Sequence, residues 1–333
     1  MRRQFTPLVL AAILASAAGC SSATGTNSGD GQPADVTVSV THPEDLYGLP
    51  WKVGQEQGFF EKAGIKVTKI LPSEGGGTTL QNVVAGKLPF GEVATGAVVK
   101  GAKSGAPVEA IGGGIQSVFD VLWVVDPKKS KITDVKQASS ARWGFTNPGS
   151  VSQAISYLVP AGAGLTGNVQ RTATGGTGAG IALLGAGDID VAYASPRVVA
   201  EKGSALRVVA HSDTYVPQYQ QTLIISSRKY AEKHPDQAKA LLKGYADAID
   251  WIEKNPDAAA DLWAKGGDVD SATAREIVSG AVKAHHWSVA FDPKALDAAA
   301  SGLKATDGLD SVDWPALLTD KYLPGDHKGQ IPS

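Results

Sequence analysis

The chain has 333 residues, 39 of them glycine, with 31 basic and 33 acidic side chains, a formal charge of −2 and a single cysteine. That balance argues against non-specific nucleic-acid binding, which needs a basic surface, and one cysteine cannot form an internal disulfide framework. A body of about three hundred residues exceeds one small core and predicts two domains.

The first nineteen residues read as an export signal. Arg2 and Arg3 form a basic start, Phe5 to Ala18 an apolar stretch, and Ala17-Ala18-Gly19 the small residues before Cys20. The stretch is too short to span a membrane, which takes about 20 apolar residues. Small residues directly before a cysteine resemble the lipobox of bacterial lipoproteins, which implies lipidation of Cys20; the RRQF start resembles a twin-arginine signal, with Sec export the alternative. Residues 20–34 then form the lipidated cysteine and a flexible polar tether. With Arg2 and Arg3 removed, the 31 basic residues fall to 29 against 33 acidic ones, a charge of about −4.

From Asp35 onward, short β-rich runs alternate with helical stretches, the pattern of parallel α/β units. The runs predict strands over 36–41, 66–71, 90–94, 109–114, 121–125, 142–146, 168–173, 189–194, 206–211 and 222–227. Helices are predicted near 49–62, 77–86, 96–104, 150–161, 177–186 and 196–202. After TLIISS (222–227) the chain turns helical. Ser227, Asn255-Pro256, Asp270 or Ser271, and Asp292-Pro293 are cap signals in a tail expected to pack back on the first lobe.

Five stretches carry a family resemblance: YGLPWKVGQEQGFFEKAGIKVTKI, SEGGGTTLQNVVAGKLPFGEVATG, KITDVKQ followed by WGFTNPGSVSQAISYL, LLGAGDIDVAYASP, and AEKHPDQAKALLKGYADAIDWIEKNPDAAADLW. In this order they resemble the substrate-binding proteins of ABC importers for nitrate, taurine and aliphatic sulfonates, including thiamine-precursor binders (the SsuA/THI5-like family). The resemblance implies the type II periplasmic-binding-protein fold: two α/β lobes joined by two crossover strands, with a ligand cleft between them. Lobe I is then expected at 35–120 plus 222–333, lobe II at 121–221, and the crossings at VLWVV and TLIIS.

In open α/β sheets, ligands bind beyond the carboxyl ends of strands, where loops enter helices. Together with the resemblance, this nominates Tyr47 and Trp51 after the first strand, Gly76, Thr78 and Thr79 after the second, and Thr95 after the third. From lobe II come Thr146, Gly149, Ser150, Val151 and Ser152, then Thr177, Tyr193 and Ser195. The GFTNPGSVSQ loop carries no lysine, yet helix N-terminal amides suit an anion, with Ser150 and Ser152 hydroxyls as further donors. Arg197 is a candidate added cation and Arg142 is read as solvated. The expected ligand is a small polar anion; a neutral or zwitterionic solute such as a thiamine pyrimidine precursor is the alternative, as is a sensory lipoprotein on the same fold. The resemblance further implies an ABC permease and its ATPase as partners and a monomer. Lys87-Leu88-Pro89 and KQASSARW depart from the family's usual segments and leave the substrate open.

Other chemistries find little support. Thr78 stands where a P-loop needs its lysine, and the glycines of 175–180 are out of register for a dinucleotide fingerprint. His285 and His286 are adjacent, so on a helix they point about 100° apart and do not chelate together. Asp188 and Asp190 read as a structural pair, no nucleophile elbow occurs, and the family's enzyme branch depends on a cysteine-rich motif absent here. Neither catalysis, a metal nor a cofactor is expected.

Overall fold

The computed structural model describes residues 33–73, 76–165, 167–266 and 269–333; the expected signal segment and Cys20 lie outside the described residues. Among the described residues, the ten expected strands form two five-stranded sheets, one in each of two lobes. The first holds β1 (Ala34–Thr41), β2 (Ile65–Ser73), β3 (Phe90–Ala94), β4 (Val108–Gly113) and β10 (Thr222–Ser227), in the order β2-β1-β3-β10-β4. The second holds β5 (Leu122–Val125), β6 (Arg142–Phe145), β7 (Gln170–Ala173), β8 (Val191–Ala194) and β9 (Arg207–His211), in the order β7-β6-β8-β5-β9.

Each sheet takes in one strand running against its neighbours. β10 pairs antiparallel with β3 and β4, and β5 antiparallel with β8 and β9. Both are the first strands the chain lays down after leaving the other sheet, so no helical crossover sets their direction. The crossings expected at VLWVV and TLIIS are therefore strands inside the sheets. The connecting chain lies just before them and pairs with itself: Tyr219 N donates to Gln116 O at 3.1 Å and Gln221 N to Ile115 O at 2.8 Å.

Helices cover the sheets. The single helix expected over 49–62 is two, α1 (Leu49–Glu56) and α2 (Phe59–Ala63), because Gly58 between them has φ 68°, a left-handed turn that ends one and starts the other. Then follow α3 (Gly76–Val84), α4 (Thr95–Lys103), α5 (Val151–Gly162), α6 (Thr177–Ala186) and α7 (Pro196–Lys202). The tail is α8 (Arg228–Lys233), α9 (Pro235–Lys254), α10 (Pro256–Ala264), α11 (Ser271–Lys283), α12 (Pro293–Asp307) and a short α13 (Trp314–Leu317). Ser227, Asp270 and Asp292 cap their helices through side-chain oxygens, while Asn255 instead turns its Nδ2 back to Trp251 O at 3.0 Å.

The largest core is the first lobe's. β1 and β10 bury Val38, Val40, Leu223, Ile224 and Ile225 completely, and α9 closes over α1 and α2 with Tyr245 4.7 Å from Trp51. The second lobe centres on Trp123 and Trp143, 4.7 Å apart. One tail helix departs from expectation. α12 packs on α5 of the second lobe, where fully buried Ala299 joins that lobe's core, while Leu296 and Leu303 on the same helix join the first. Gly302 permits the approach, since a Cβ there would stand 3.0 Å from Ala154 Cβ and 2.9 Å from the Tyr219 hydroxyl.

Candidate functional site

The carboxyl ends of β1, β3, β6 and β8 open toward a cleft of about 450 Å³ between the lobes. From the second lobe it is lined by the loop Thr146 to Ser152 and by Tyr193; from the first, by Thr41, His42, Tyr47, Gly76 and a face of α4. That face is a stripe, since Ala97, Lys100, Gly101 and Ser104 follow the i, i+3, i+4, i+7 spacing that puts residues on one side of a helix. Val98 and Val99 are buried on the other side. Lys100 thus brings a cation from one lobe toward a loop of the other that has none.

The loop is built to leave amides free. Gly149 turns at φ 81°, its N–H donating to Gln153 Oε1 at 2.6 Å. Ser150 caps α5, its Oγ accepting from Gln153 N at 3.2 Å. Ser152 Oγ accepts from Thr146 N at 3.0 Å and meets Thr146 Oγ1 at 2.9 Å and Ser150 Oγ at 3.0 Å. The hydroxyls expected to face a ligand are thus engaged in shaping the loop. Among the described residues, the Val151 and Ser152 amides of the first turn have no acceptor, which leaves two donors at the positive end of a twelve-residue helix.

Several nominated residues are elsewhere. Trp51 is fully buried, its Nε1 donating to Glu92 Oε2 at 2.5 Å, because α1 turns that side to the sheet. Thr78 is exposed on α3 outside the cleft lining, and buried Thr79 bonds Ser39 Oγ at 3.0 Å. Thr95 opens α4 with its hydroxyl buried and unpartnered rather than facing the cleft. Ser195 caps α7 and donates to Asp45 Oδ1 at 3.1 Å. Thr177 faces a second cavity of about 520 Å³, shared with His42, Glu44, Asp45 and Arg197.

There, Arg197 is held away from the main cleft by Asp45, Nε to Oδ1 2.8 Å, with Glu201 at 3.7 Å and Glu44 at 4.0 Å. This joins the turn after β1 to the start of α7 in the other lobe. Burial raises the Asp45 carboxyl above its usual range, against the pull of Arg197. His42, Glu44 and Asp45 converge within 4.8 Å, but Glu44 already bonds His42 at 3.2 Å and Asp45 holds Ser195 and Arg197. Arg142, read as solvated, clasps Asp190 through Nε at 3.0 Å and Nη2 at 2.7 Å, which gives Asp190 its structural role.

Behind the cleft, Tyr47 leads into buried polar groups at the crossings. Its hydroxyl donates to Gln221 Oε1 at 2.7 Å, and Gln221 Nε2 donates to Asp120 Oδ1 at 2.6 Å and to Ser117 O. Burial raises Asp120 to about 7 and lowers His286, whose ring bonds Ser117 Oγ at 2.8 Å, to about 3. Burial likewise raises Glu92 to about 7.

The sequence model of the NMT1/THI5-like family matches residues 47–259, which span the strands and helices on both sides of the cleft. The chain belongs to that family. A protein of Bacillus subtilis (strain 168), named as a candidate aliphatic sulfonates-binding protein, is 25% identical over 276 residues, 81% of each chain. Among solved structures, the fold is shared with the periplasmic aliphatic sulphonate binding protein SsuA of Escherichia coli, at a TM-score of 0.61 and 16% identity over 74% of this chain and 84% of that one. It is shared as well with the desulfurization enzyme DSZB, at 0.58 and 16% over 84% and 94%. Periplasmic binding architecture is therefore the NMT1/THI5-like frame here, and the frame alone does not decide between capture and catalysis.

Lys100 is the residue sequence reasoning missed. Its signal was present in TGAVVKGAKSG, where small residues at Ala97, Gly101 and Ser104 share a face with one long cation. Only the position of α4 beside the cleft gives that face a purpose.

Proposed function

We propose that this NMT1/THI5-like protein is an extracytoplasmic solute-binding lipoprotein of an ABC importer, tethered through Cys20 on the outer side of the cell membrane and working as a monomer. It captures a small polar anion of the sulfonate, taurine or nitrate kind between its lobes and hands it to a permease. One observation carries the reading. Lys100 and the free amides at the start of α5 line the cleft together, while the carboxylate that pairs with Lys100, Asp307, lies outside the lining.

Hydrogen bonds to a charged group contribute about 1.5–3 kcal/mol each. Three or four from Lys100, the two amides and Asn147 reach the roughly 8 kcal/mol of a micromolar complex. The relative named for sulfonates supports the same class, and among the described residues no catalytic constellation accompanies the site. Tyr47 and Tyr193 also face the cleft, and two aromatic rings favour a second reading, a flat neutral or zwitterionic pyrimidine held by stacking.

A thermal-shift and calorimetry panel of taurine, alkanesulfonates, nitrate and thiamine pyrimidine precursors separates these. The anions are expected to stabilise the protein by about 2.7 kcal/mol at a hundredfold excess over Kd. Stabilisation by the pyrimidines alone would favour the second reading, and none by any solute would overturn both. Cys20→Ser is expected to move the protein from the membrane fraction to the soluble one.

A further inference from the structure

The cation of the cleft already has a partner. Lys100 Nζ lies 2.7 Å from Asp307 Oδ1, and Asp307 is the last residue of α12, the helix that leans on α5. Thr306 Oγ1 donates to the other carboxylate oxygen at 2.7 Å, which leaves Oδ1 to Lys100. The pair sits where the lobes meet. A Cβ on Gly149 would come within 3.4 Å of Lys100 Nζ, and one on Gly96 within 3.4 Å of both Gly149 O and Leu303 Cδ2. The two side chains are 36% and 27% exposed, so water screens the pair and either partner can be exchanged.

We propose that Asp307 is an internal competitor for the ligand: an incoming anion takes Lys100 together with the Val151 and Ser152 amides, displaces the Asp307 carboxylate, and is selected by that exchange. This rests on the anion-capturing reading of the cleft. The exchange sorts solutes by chemistry. A neutral molecule gives Lys100 nothing in return for its partner and leaves the pair closed. A carboxylate replaces one two-oxygen group with another. A head group with three equivalent oxygens, as in a sulfonate, bonds Lys100 and both amides together, a combination Asp307 on its own helix does not make.

Asp307 acts through Lys100 and so is a positioning residue, and its removal has an effect opposite in sign to that of removing Lys100. Calorimetry with butane-1-sulfonate on the purified protein tests this. Asp307→Asn is expected to bind about tenfold more tightly than the parent and Lys100→Gln about tenfold more weakly. The double variant should match Lys100→Gln, and Lys100→Arg should retain binding. Thermal unfolding of each variant checks that it is folded, and Lys100→Arg keeps the comparison should Lys100→Gln fail to fold. Asp307→Asn binding no more tightly than the parent, or a double variant that still gains from the Asp307 change, would overturn the proposal while leaving the anion site standing. A parent protein that binds neither butane-1-sulfonate nor any other anion of the panel would overturn the anion reading, and this proposal with it.

Discussion

Ser150 holds the first turn of α5 and touches the cleft at the same time. Its Oγ accepts the Gln153 amide at 3.2 Å and meets Ser152 Oγ at 3.0 Å, while Ser152 Oγ also accepts the Thr146 amide. A hydroxyl committed to a cap is a poor ligand donor. Ser150→Ala is therefore expected to lower stability by about 1 kcal/mol, the usual cost of an N-cap, visible in thermal unfolding. Anion affinity should fall by less than tenfold, because the Val151 and Ser152 amides are backbone and stay. Affinity that collapses while the melting temperature holds would return the hydroxyl to the ligand. The sequence made this loop legible as a helix entry and left its hydrogen bonds unread. Trp51 shows the same limit, since its aromatic character fits a cleft wall or a core equally. Its partner Glu92 lies 41 positions away, and nothing in FGEVA says which side chain will meet that buried carboxylate.

At the scale of elements, alternating runs and cap residues placed the strands and most helices, because period and turn chemistry are local. Helix partners are not local. The apolar face of α12 says that something covers it, and only the folded chain shows α5 of the other lobe doing so. The same holds for α7: the sequence predicts a helix near 196–202, but the partner of Arg197, Asp45, comes from the turn after β1. This ion pair spans the lobes outside the main cleft, with side chains 18% and 12% exposed. It is accordingly expected to hold the lobes together when solute is bound. Arg197→Ala would leave the buried Asp45 carboxylate with Ser195 as its neutral partner, a loss of about 1.5–3 kcal/mol for a hydrogen bond to a charged group. Solute affinity is expected to fall by about tenfold, chiefly through faster release, which stopped-flow measurement reads directly. An unchanged release rate would assign the pair to packing within the static fold.

At the scale of the molecule, the two lobes depend on the crossings, and buried ionisable groups beside them tie stability to pH. Asp120 and Glu92 are raised by burial to about 7, from 3.8 and 4.5. The folded chain therefore holds their protons more tightly than the unfolded chain does. Their contribution is complete below about pH 4 and is lost as pH rises to about 7 and beyond. His286, lowered by burial from 6.5 to about 3, works the other way: its contribution is present above pH 6.5 and is lost as pH falls toward 3. Between pH 5 and 6.5 His286 offsets part of the carboxylate effect, and above 6.5 it no longer does. Asp120→Asn removes one of them while its Oδ1 stays the acceptor for Gln221 Nε2, and the amide nitrogen takes the place of Oδ2, a buried oxygen without a partner. The variant is expected to match the parent most closely below about pH 4, where Asp120 is protonated in folded and unfolded chain alike, to gain on it as pH rises toward 7, and to melt highest relative to it at pH 8, where the parent carries a buried charge. The gain is on the order of a few kcal/mol at most, since a tenfold change in an acid's ionisation constant corresponds to about 1.4 kcal/mol. Thermal unfolding at pH 5, 6.5 and 8 gives the comparison. A difference that stays constant across that range would mean that Asp120 keeps its charge throughout and that the crossings bear it at every pH.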